Sequence, residues 1–326
     1  MDRLTSKTRI ALVVLCALAL SASVIFLLRR RAEAVPTKPS AGSTSASDSS
    51  NYRNPKRIAN LRDSAIKESS GIVASRNTPG MYWTHNDSGD GPFLYAFDER
   101  GLSRGVWKVS GAKARDWEGI ASGPGPDSTR NYLYIGDIGD NGERRPDVIV
   151  YRVAEPTFAP DDEQSTKRKP VFTESAEIIR LRYPDGPRDA EALMVHPKSG
   201  NIYVVTKQVF GDPHVYQAAA PVAAGDTVTL RHLGELDVPS MFGGIITDGA
   251  ISPDGTRVVL CDYLRGYELV LGNPSVDFNK IWKQAFSTID LGSRKQGEAI
   301  TYRLDGRALL ATSEGVRAPL LQIVRR

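Results

Sequence analysis

Acidic side chains recur in this sequence in two settings, each beside a short apolar segment. Some stand just before such a segment, as in Asp116-Trp117-Glu118 and Asp189-Ala190-Glu191. Others follow one directly, as in His85-Asn86-Asp87 and Gly136-Asp137. Because carboxylate, amide and backbone oxygens are the ligands that Ca²⁺ prefers in proteins, both settings suit a hard cation or a small polar ligand.

The candidate residues fall into two groups. The candidate metal ligands are carboxylates: Asp116, Glu118, Asp137, Asp189, Glu191, Asp248 and Glu298. The candidate ligand-binding residues are polar or charged: His85, Asn86, Asp87, Asp140, Asn141, Arg144, Arg188 and Lys207. No residue is assigned a catalytic role.

A cluster of these acids would be unstable without compensation. Two carboxylates about 6 Å apart repel by about 3 kcal/mol at an effective dielectric constant of about 20. Bound Ca²⁺, ion pairs with the neighbouring Arg and Lys side chains, or protonation at a raised pKa would each compensate. The structural alternative is that each acid accepts hydrogen bonds from backbone amides and does no chemistry. All of these readings stay open at the level of sequence.

Motifs of the common enzyme classes do not occur. The sequence has no GxSxG, GxxxxGK[ST] or HExxH motif. Two turns, beginning at Asn86 and Asp137, start like an EF-hand loop, but Phe97 and Val148 replace the final Glu that such a loop needs. Cys261 lies in an apolar run and is predicted to be a core residue.

The apolar segments themselves form a repeat. A short strand, a tight turn, a strongly apolar strand and a third strand recur five times, beginning near Gly71, Gly119, Ala192, Ala250 and Ala299. A fourth strand follows in four copies, at residues 105–109, 177–181, 227–230 and 286–289. Short strands at regular spacing, with turn residues between them, are typical of an all-β fold.

The two ends of the repeat complement each other. The fifth copy lacks a fourth strand, whereas residues 57–61 form an unassigned strand before the first copy. If that strand completes the last module, the circle closes and no edge strand is left open. We therefore predict a single β-propeller of five blades, closed by the N-terminal strand. Six blades and a β-sandwich are the alternatives.

In a propeller the candidate residues would meet. The strands of a blade run antiparallel, so the start of the first strand and the end of the second lie at one mouth of the central channel. Both acidic settings map to this mouth, which the sequence therefore predicts to be acidic.

Charge excludes one class of partner. The chain has 42 Lys and Arg against 38 Asp and Glu, of which seven and three lie in residues 1–50, so 35 of each remain. The body is neutral and has no basic field for nucleic acid.

The N-terminal segment predicts the cellular location. Residues 10–28 carry no charge, which is close to the length that crosses a bilayer, and Arg3, Lys7 and Arg9 precede them. We predict a signal anchor or signal peptide at 1–31, a flexible Pro/Ser/Thr linker at 32–51 and the propeller at 52–326. The membrane would be the partner of the first segment, with the domain outside; a secreted form is the alternative. We expect a monomer, and no protein partner is indicated.

Four strings carry a resemblance: residues 83–89 (WTHNDSG), 116–121 (DWEGIA), 134–141 (YIGDIGDN) and 297–300 (GEAI). Together they resemble exported bacterial propellers related in pattern to the phytase-like and SdiA-regulated propellers, over about residues 68–315. For the phytase-like branch, the resemblance implies phosphate-ester cleavage with Ca²⁺. The metal would be held by Asp116, Glu118, Asp189, Glu191 and Glu298, with Arg188 or Lys207 near a phosphate.

Three functions remain open at this point. We favour a membrane-anchored or exported binding module whose acidic mouth takes a cation such as Ca²⁺ or a small polar ligand. A Ca²⁺-dependent phosphoesterase is the alternative, although the sequence has no basic cluster to clamp a polyphosphate. The third is a protein-interaction platform that uses the opposite face or the polar insertion at 161–169.

Overall fold

Strands dominate the part of the chain that the computed structural model describes, residues 51–240 and 243–326. In chain order they are β1 (Lys56–Asn60), β2 (Ser69–Ala74), β3 (Met81–Asn86), β4 (Phe93–Asp98), β5 (Ser103–Ser110), β6 (Trp117–Pro124), β7 (Asn131–Asp137), β8 (Val148–Ala154), β9 (Val171–Ser175), β10 (Glu177–Arg182), β11 (Ala190–Val195), β12 (Ile202–Thr206), β13 (His214–Ala218), β14 (Thr227–Thr229), β15 (Arg231–Glu235), β16 (Asp248–Ile251), β17 (Arg257–Cys261), β18 (Arg265–Val270), β19 (Ser287–Asp290), β20 (Gly297–Tyr302), β21 (Ala308–Ser313) and β22 (Pro319–Val324). Two short 3₁₀ helices, Pro160–Gln164 and Phe278–Lys283, join them. No helix within these ranges is long and apolar enough to span a membrane. The predicted N-terminal anchor and nearly all of the linker lie outside the described residues.

The strands form five sheets, each beginning with a buried inner strand. Blade 1 is β2-β3-β4-β5-β9, blade 2 is β6-β7-β8-β10-β14, blade 3 is β11-β12-β13-β15, blade 4 is β16-β17-β18-β19 and blade 5 is β20-β21-β22-β1. The inner strands β2, β6, β11, β16 and β20 contact one another in a closed circle. The fold is therefore an all-β propeller of five blades, which confirms the predicted blade number.

The N-terminal strand closes the circle. β1 pairs antiparallel with β22, from Lys56 opposite Gln322 to Asn60 opposite Pro319. A further bridge joins Tyr52 to Arg325. This confirms that the first strand completes the last blade, and it leaves blade 5 with four strands although the chain ends after β22.

Two outer strands differ from the prediction. Residues 227–230 were expected to be the fourth strand of blade 3, but β14 pairs in parallel with β10 on blade 2, and β15 takes the place in blade 3. The polar insertion at 161–169 leads into β9, which pairs in parallel with β5 of blade 1. In both cases the chain covers the outer edge of the preceding blade before it enters the next outer strand, which protects that edge from pairing with another chain.

The contact between β9 and β5 provides a test of this covering strand. The hydroxyl of Ser110 donates to the carbonyl of Thr173 at 2.7 Å, and the Ser110 amide donates to the Thr173 hydroxyl. We expect Ser110→Ala to cost about 1 kcal/mol of unfolding free energy, or about 2 °C in Tm. Thermal unfolding and hydrogen exchange in β9 measure this, and Ser128→Ala at an exposed turn is the control. Equal exchange in β9 of both variants would contradict the assigned contact.

The blades pack through large apolar side chains. Trp83, Trp107 and Trp117 are fully buried. The rings of Trp83 and Trp107 meet edge to face at 4.8 Å between centroids. Burial of this kind fixes the inner strands and, with them, the start of each strand where the acids lie.

Cys261 belongs to the same packed interior and is not a nucleophile. It is fully buried in β17, and burial raises the pKa of its thiol to about 12. We expect the native protein to leave Cys261 unmodified by a thiol-reactive reagent, whereas the unfolded protein reacts at once. Mass spectrometry of the peptide that holds Cys261 distinguishes the two states. Rapid modification of the native protein would contradict this placement.

Candidate cation site at the channel mouth

The inner strands place one polar residue each at equivalent positions near their starts: Ser70, Glu118, Glu191, Asp248 and Glu298. In four of the five strands the pairing register shifts at this position, because an extra residue interrupts the ladder. A bulge of this kind re-aims a side chain that would otherwise face a neighbouring blade. The strand of Asp248 has no such shift.

Ser70, Glu118, Glu191 and Glu298 form one connected group, here called the carboxylate ring. The hydroxyl of Ser70 lies 3.3 Å from Oε2 of Glu118 and 3.4 Å from Oε2 of Glu298. The side chain of Glu118 is hydrogen-bonded in turn to that of Glu191. The ring therefore links blade 5, blade 1, blade 2 and blade 3 across the channel, and each of its members is buried.

One cation meets this ring. Lys207 Nζ lies 2.6 Å from Oε1 of Glu191 and 5.7 Å from the centre of the Tyr263 ring. Although burial opposes its charge, the carboxylates of Glu191 and Glu118 hold the pKa of Lys207 well above its ordinary value. No other ion pair to the ring is formed by the residues described here.

Burial and mutual repulsion raise the pKa of every acid in the ring. Burial, followed by the charges of Glu191 and Asp87, raises the pKa of Glu118 well above its ordinary range. Burial raises the pKa of Glu191 to about 7, although Lys207 opposes the shift. Burial and the neighbouring carboxylate of Glu314 raise the pKa of Glu298 to about 8. Without a bound cation, the ring therefore holds protons at neutral pH.

Two further acids extend the ring toward solvent. One carboxylate oxygen each from Asp87, Asp116 and Glu118 lie within 4.8 Å of one another. Burial, then the charges of Asp87 and Asp189, raise the pKa of Asp116 to about 7. The loop after β7 packs so close that a Cβ on Gly139 would lie 2.6 Å from the Asp116 carboxylate.

Several candidate residues are held in structural hydrogen bonds instead. Asp248 accepts from the amides of Gly249 and Ile300, at 2.7 and 2.8 Å, and so ties blade 4 to blade 5. Asp137 forms a buried ion pair with Arg145 at 2.8 Å. These two carboxylates follow the structural alternative, and we leave them out of the proposed ligand set.

The turn after β7 uses its polar residues in the same way. Asp140 accepts hydrogen bonds from the amides of Arg144 and Arg145, both at 2.6 Å. Its own amide donates to Asp189 at 2.7 Å. Asn141 and the side chain of Arg144 are exposed at this turn. Four candidate residues therefore belong to the rim of the channel mouth and not to the carboxylate ring: Asp140, Asn141, Arg144 and Asp189.

Asn86 and His85 at the end of β3 are also part of the scaffold. The Asn86 amide oxygen accepts from the backbone of Lys67 and Glu68, at 2.8 and 3.0 Å. His85 is fully buried edge to face with Trp117, and burial lowers its pKa to about 4, so the imidazole is neutral. Neither is kept as a ligand-binding residue.

Arg188 pairs with a carboxylate outside the ring. Its guanidinium lies 3.0 Å from Asp185, and no hydrogen bond or ion pair joins it to a ring carboxylate in the described residues. A role for Arg188 at the mouth stays a prediction from the sequence.

Three residues of the site are missing from the predicted sets of metal ligands and ligand-binding residues: Ser70, Tyr263 and Glu314. A signal for Ser70 exists, because each ring position is followed by a small residue: Gly71, Gly119, Ala192 and Ala299. A Cβ on Gly119 would lie 2.6 Å from the backbone nitrogen of Leu193, so the small residue lets neighbouring inner strands approach. Reading that pattern across the repeats would have placed Ser70 in register with the three glutamates.

The opposite half of the channel is lined by apolar residues together with the polar residues Arg76, Ser122 and Thr301. A cavity of about 40 Å³ there is lined by the later residues of the inner strands, among them Ile72, Ile120, Met194, Ile251 and Tyr302. The buried carboxylates, in contrast, lie at the end where the inner strands begin.

Comparison with known proteins gives no matching family and no matching curated protein. The protein is thus described by its own structure, a five-bladed propeller with a buried acidic channel mouth.

Proposed function

We propose that this protein is a binding module whose carboxylate ring takes a divalent cation of the Ca²⁺ type. One observation carries the proposal: three glutamates from three blades and the hydroxyl of Ser70 converge in a buried ring, and Lys207 is the one cation paired with it among the described residues. With its acids ionised, the ring has three negative charges and one positive charge. A single divalent cation neutralises the remainder.

The donor atoms favour Ca²⁺ over transition metals. The ring offers carboxylate and hydroxyl oxygens, and the nearby Asp87 and Asp116 add two more carboxylates. Ca²⁺ takes six to eight oxygen ligands in flexible geometry. In the described chain no cysteine is hydrogen-bonded to the ring, and the neighbouring His85 bonds the Asn86 carbonyl and no ring carboxylate, so the ring's own donor atoms are oxygens.

Binding is better supported than phosphoester hydrolysis. A phosphatase needs cations that are free to meet phosphoryl oxygens in addition to its metal. Lys207 is engaged by Glu191, and Arg188 is engaged by Asp185, a carboxylate outside the ring. We therefore propose a binding role and keep the phosphoesterase as a measurable alternative.

The proposed location rests on the sequence alone. The uncharged run at 10–28 supports a module anchored in the cell membrane with the propeller outside, or a secreted form if the segment is cleaved.

Calorimetric titration of the EDTA-treated full chain tests the function. We expect saturable Ca²⁺ binding, weaker Mg²⁺ binding, and a rise in Tm with Ca²⁺. A chromogenic phosphate monoester and an inositol phosphate, assayed with and without Ca²⁺, should show no metal-dependent phosphate release. Absence of Ca²⁺ binding would overturn the proposal, and Ca²⁺-dependent release would replace it with the phosphoesterase.

A further inference from the structure

Blade 3 presents a second group of metal-binding side chains, on different residues from the ring. His214 is the first residue of β13 and His232 is the second residue of β15, which pair antiparallel. Tyr216 lies opposite His232, and the register shifts next to this pair. The shift brings the two imidazoles together, with Nδ1 of His214 at 3.0 Å from Nε2 of His232.

A carboxylate completes the group. Asp185, in the loop between β10 and β11, places an oxygen within 4.8 Å of both histidine nitrogens. The hydroxyl of Tyr216 donates to both carboxylate oxygens of Asp185, at 3.0 and 2.8 Å. Arg188 binds the same carboxylate at 3.0 Å. The acid is thus held in place by neighbours, as the carboxylate ligands of metal sites commonly are.

The spacing fits a metal that prefers imidazole. Two nitrogens bound tetrahedrally to zinc at about 2.0–2.1 Å lie about 3.3 Å apart, so the pair needs to open by only a few tenths of an ångström. Two imidazoles with one carboxylate are the donor set of several zinc sites that leave a fourth position open. Imidazole nitrogens favour Zn²⁺, Cu²⁺ and Ni²⁺ over Ca²⁺.

Another explanation accounts for the same contacts without a metal. One imidazole can donate its N–H to the other, and Arg188 can neutralise Asp185 by itself. In the metal-free explanation a proton lies between the two histidine nitrogens, whereas in the other explanation both nitrogens bind a metal ion. Asp185 and His232 are exposed and His214 is half-buried, so an ion can reach the group from solvent.

We propose that His214, His232 and Asp185 form a transition-metal site on blade 3, open to solvent at one coordination position and suited to Zn²⁺. The site uses none of the residues of the carboxylate ring. The two sites differ in metal preference, because the nitrogen ligands on blade 3 favour zinc and the oxygen ligands of the ring favour calcium.

The experiment uses the full chain without a histidine tag, stripped of metal and titrated with Zn²⁺ while excess Ca²⁺ occupies the ring. Co²⁺ in parallel reports nitrogen ligation and tetrahedral geometry through its visible absorption. We expect one Zn²⁺ per chain, and a loss of affinity of about 100-fold or more in His214→Gln/His232→Gln. Asp185→Asn should weaken binding less, and Asp226→Asn, at an exposed turn, should not change it.

Two outcomes overturn the proposal: wild-type protein that takes up no Zn²⁺, or a double histidine variant that binds Zn²⁺ as the wild type does. Circular dichroism and retained Ca²⁺ binding show that the variant is folded. Because the side chains lie at the surface, a folding defect would itself be unexpected and would be visible in both controls.

Discussion

Glu118→Gln/Glu298→Gln is expected to lose Ca²⁺ binding by about 100-fold or more, equivalent to about 2.7 kcal/mol, while the propeller stays folded. In the metal-free ring each of these two glutamates shares a proton with a second carboxylate, Glu191 and Glu314 respectively. An amide copies the shape of the protonated acid but cannot neutralise a cation. Glu191 is kept because Lys207 would otherwise be left as a buried cation without its partner.

The same variant has a second expected property that a mere folding defect would not produce. Without Ca²⁺ at alkaline pH, its Tm should equal or exceed that of the wild type, because two buried groups no longer have to ionise. Calorimetry and thermal unfolding in EDTA measure both effects. The matched control, Asp161→Asn/Asp226→Asn, removes two exposed carboxylates and should leave Ca²⁺ affinity unchanged. A double glutamine variant that binds Ca²⁺ as tightly as the wild type would exclude the ring as the site.

The sequence predicted the architecture because the information for it is local. Each blade repeats an alternation of apolar strands and Gly/Asp turns, and the missing fourth strand of the last copy pointed to β1. The outer strands were harder. Two short, half-polar segments follow each other here, residues 227–229 and 231–235, and they join different blades because they pair with β10 and β13 respectively. Such pairing is non-local, and the sequence of neither segment indicates which blade it joins.

The candidate site was predicted in position but not in detail. Glu118, Glu191 and Glu298 precede their apolar segments in the same register and meet in the ring. Asp137 stands in an equally suggestive place, yet Arg145 eight residues later pairs with it. A bulge of one residue decides whether an acidic side chain points into the channel or accepts hydrogen bonds from backbone amides. The sequence pattern does not reveal such a bulge.

Stability of the metal-free protein is expected to fall as pH rises from about 6.5 to 8.5. Asp116 and Glu191 have folded-state pKa values of about 7, and Glu298 has one of about 8, all above the ordinary values of 3.8 and 4.5. The folded protein therefore holds protons that the unfolded chain has released. Stability therefore is greatest on the acid side of this window and is lost as these groups ionise. A difference of one to three bound protons between the folded and the unfolded protein corresponds to about 1–4 kcal/mol per pH unit.

The pH range of about 6.5 to 8.5 avoids a group whose titration has the opposite effect on stability. Burial lowers the pKa of His85 to about 4, so below its ordinary value of 6.5 the unfolded chain binds the extra proton and stability rises with pH. Above 6.5 this contribution is complete. Lys207 stays charged throughout, because its pKa is raised.

Saturating Ca²⁺ should remove this dependence, because a ring that holds the cation carries no protons in this window. The cation competes with the protons of the ring, so its affinity rises as pH rises and the gain in Tm on adding Ca²⁺ should be larger at pH 8.5 than at 6.5. Thermal unfolding in EDTA and in Ca²⁺ across the window gives both slopes. In Glu118→Gln/Glu298→Gln the EDTA slope should become shallower, because Glu298 no longer titrates while Asp116 and Glu191 remain, and the Ca²⁺ gain should be much smaller. If Tm in EDTA rose with pH, the ring acids would already be ionised in the metal-free protein. Cation binding would then not be coupled to their deprotonation.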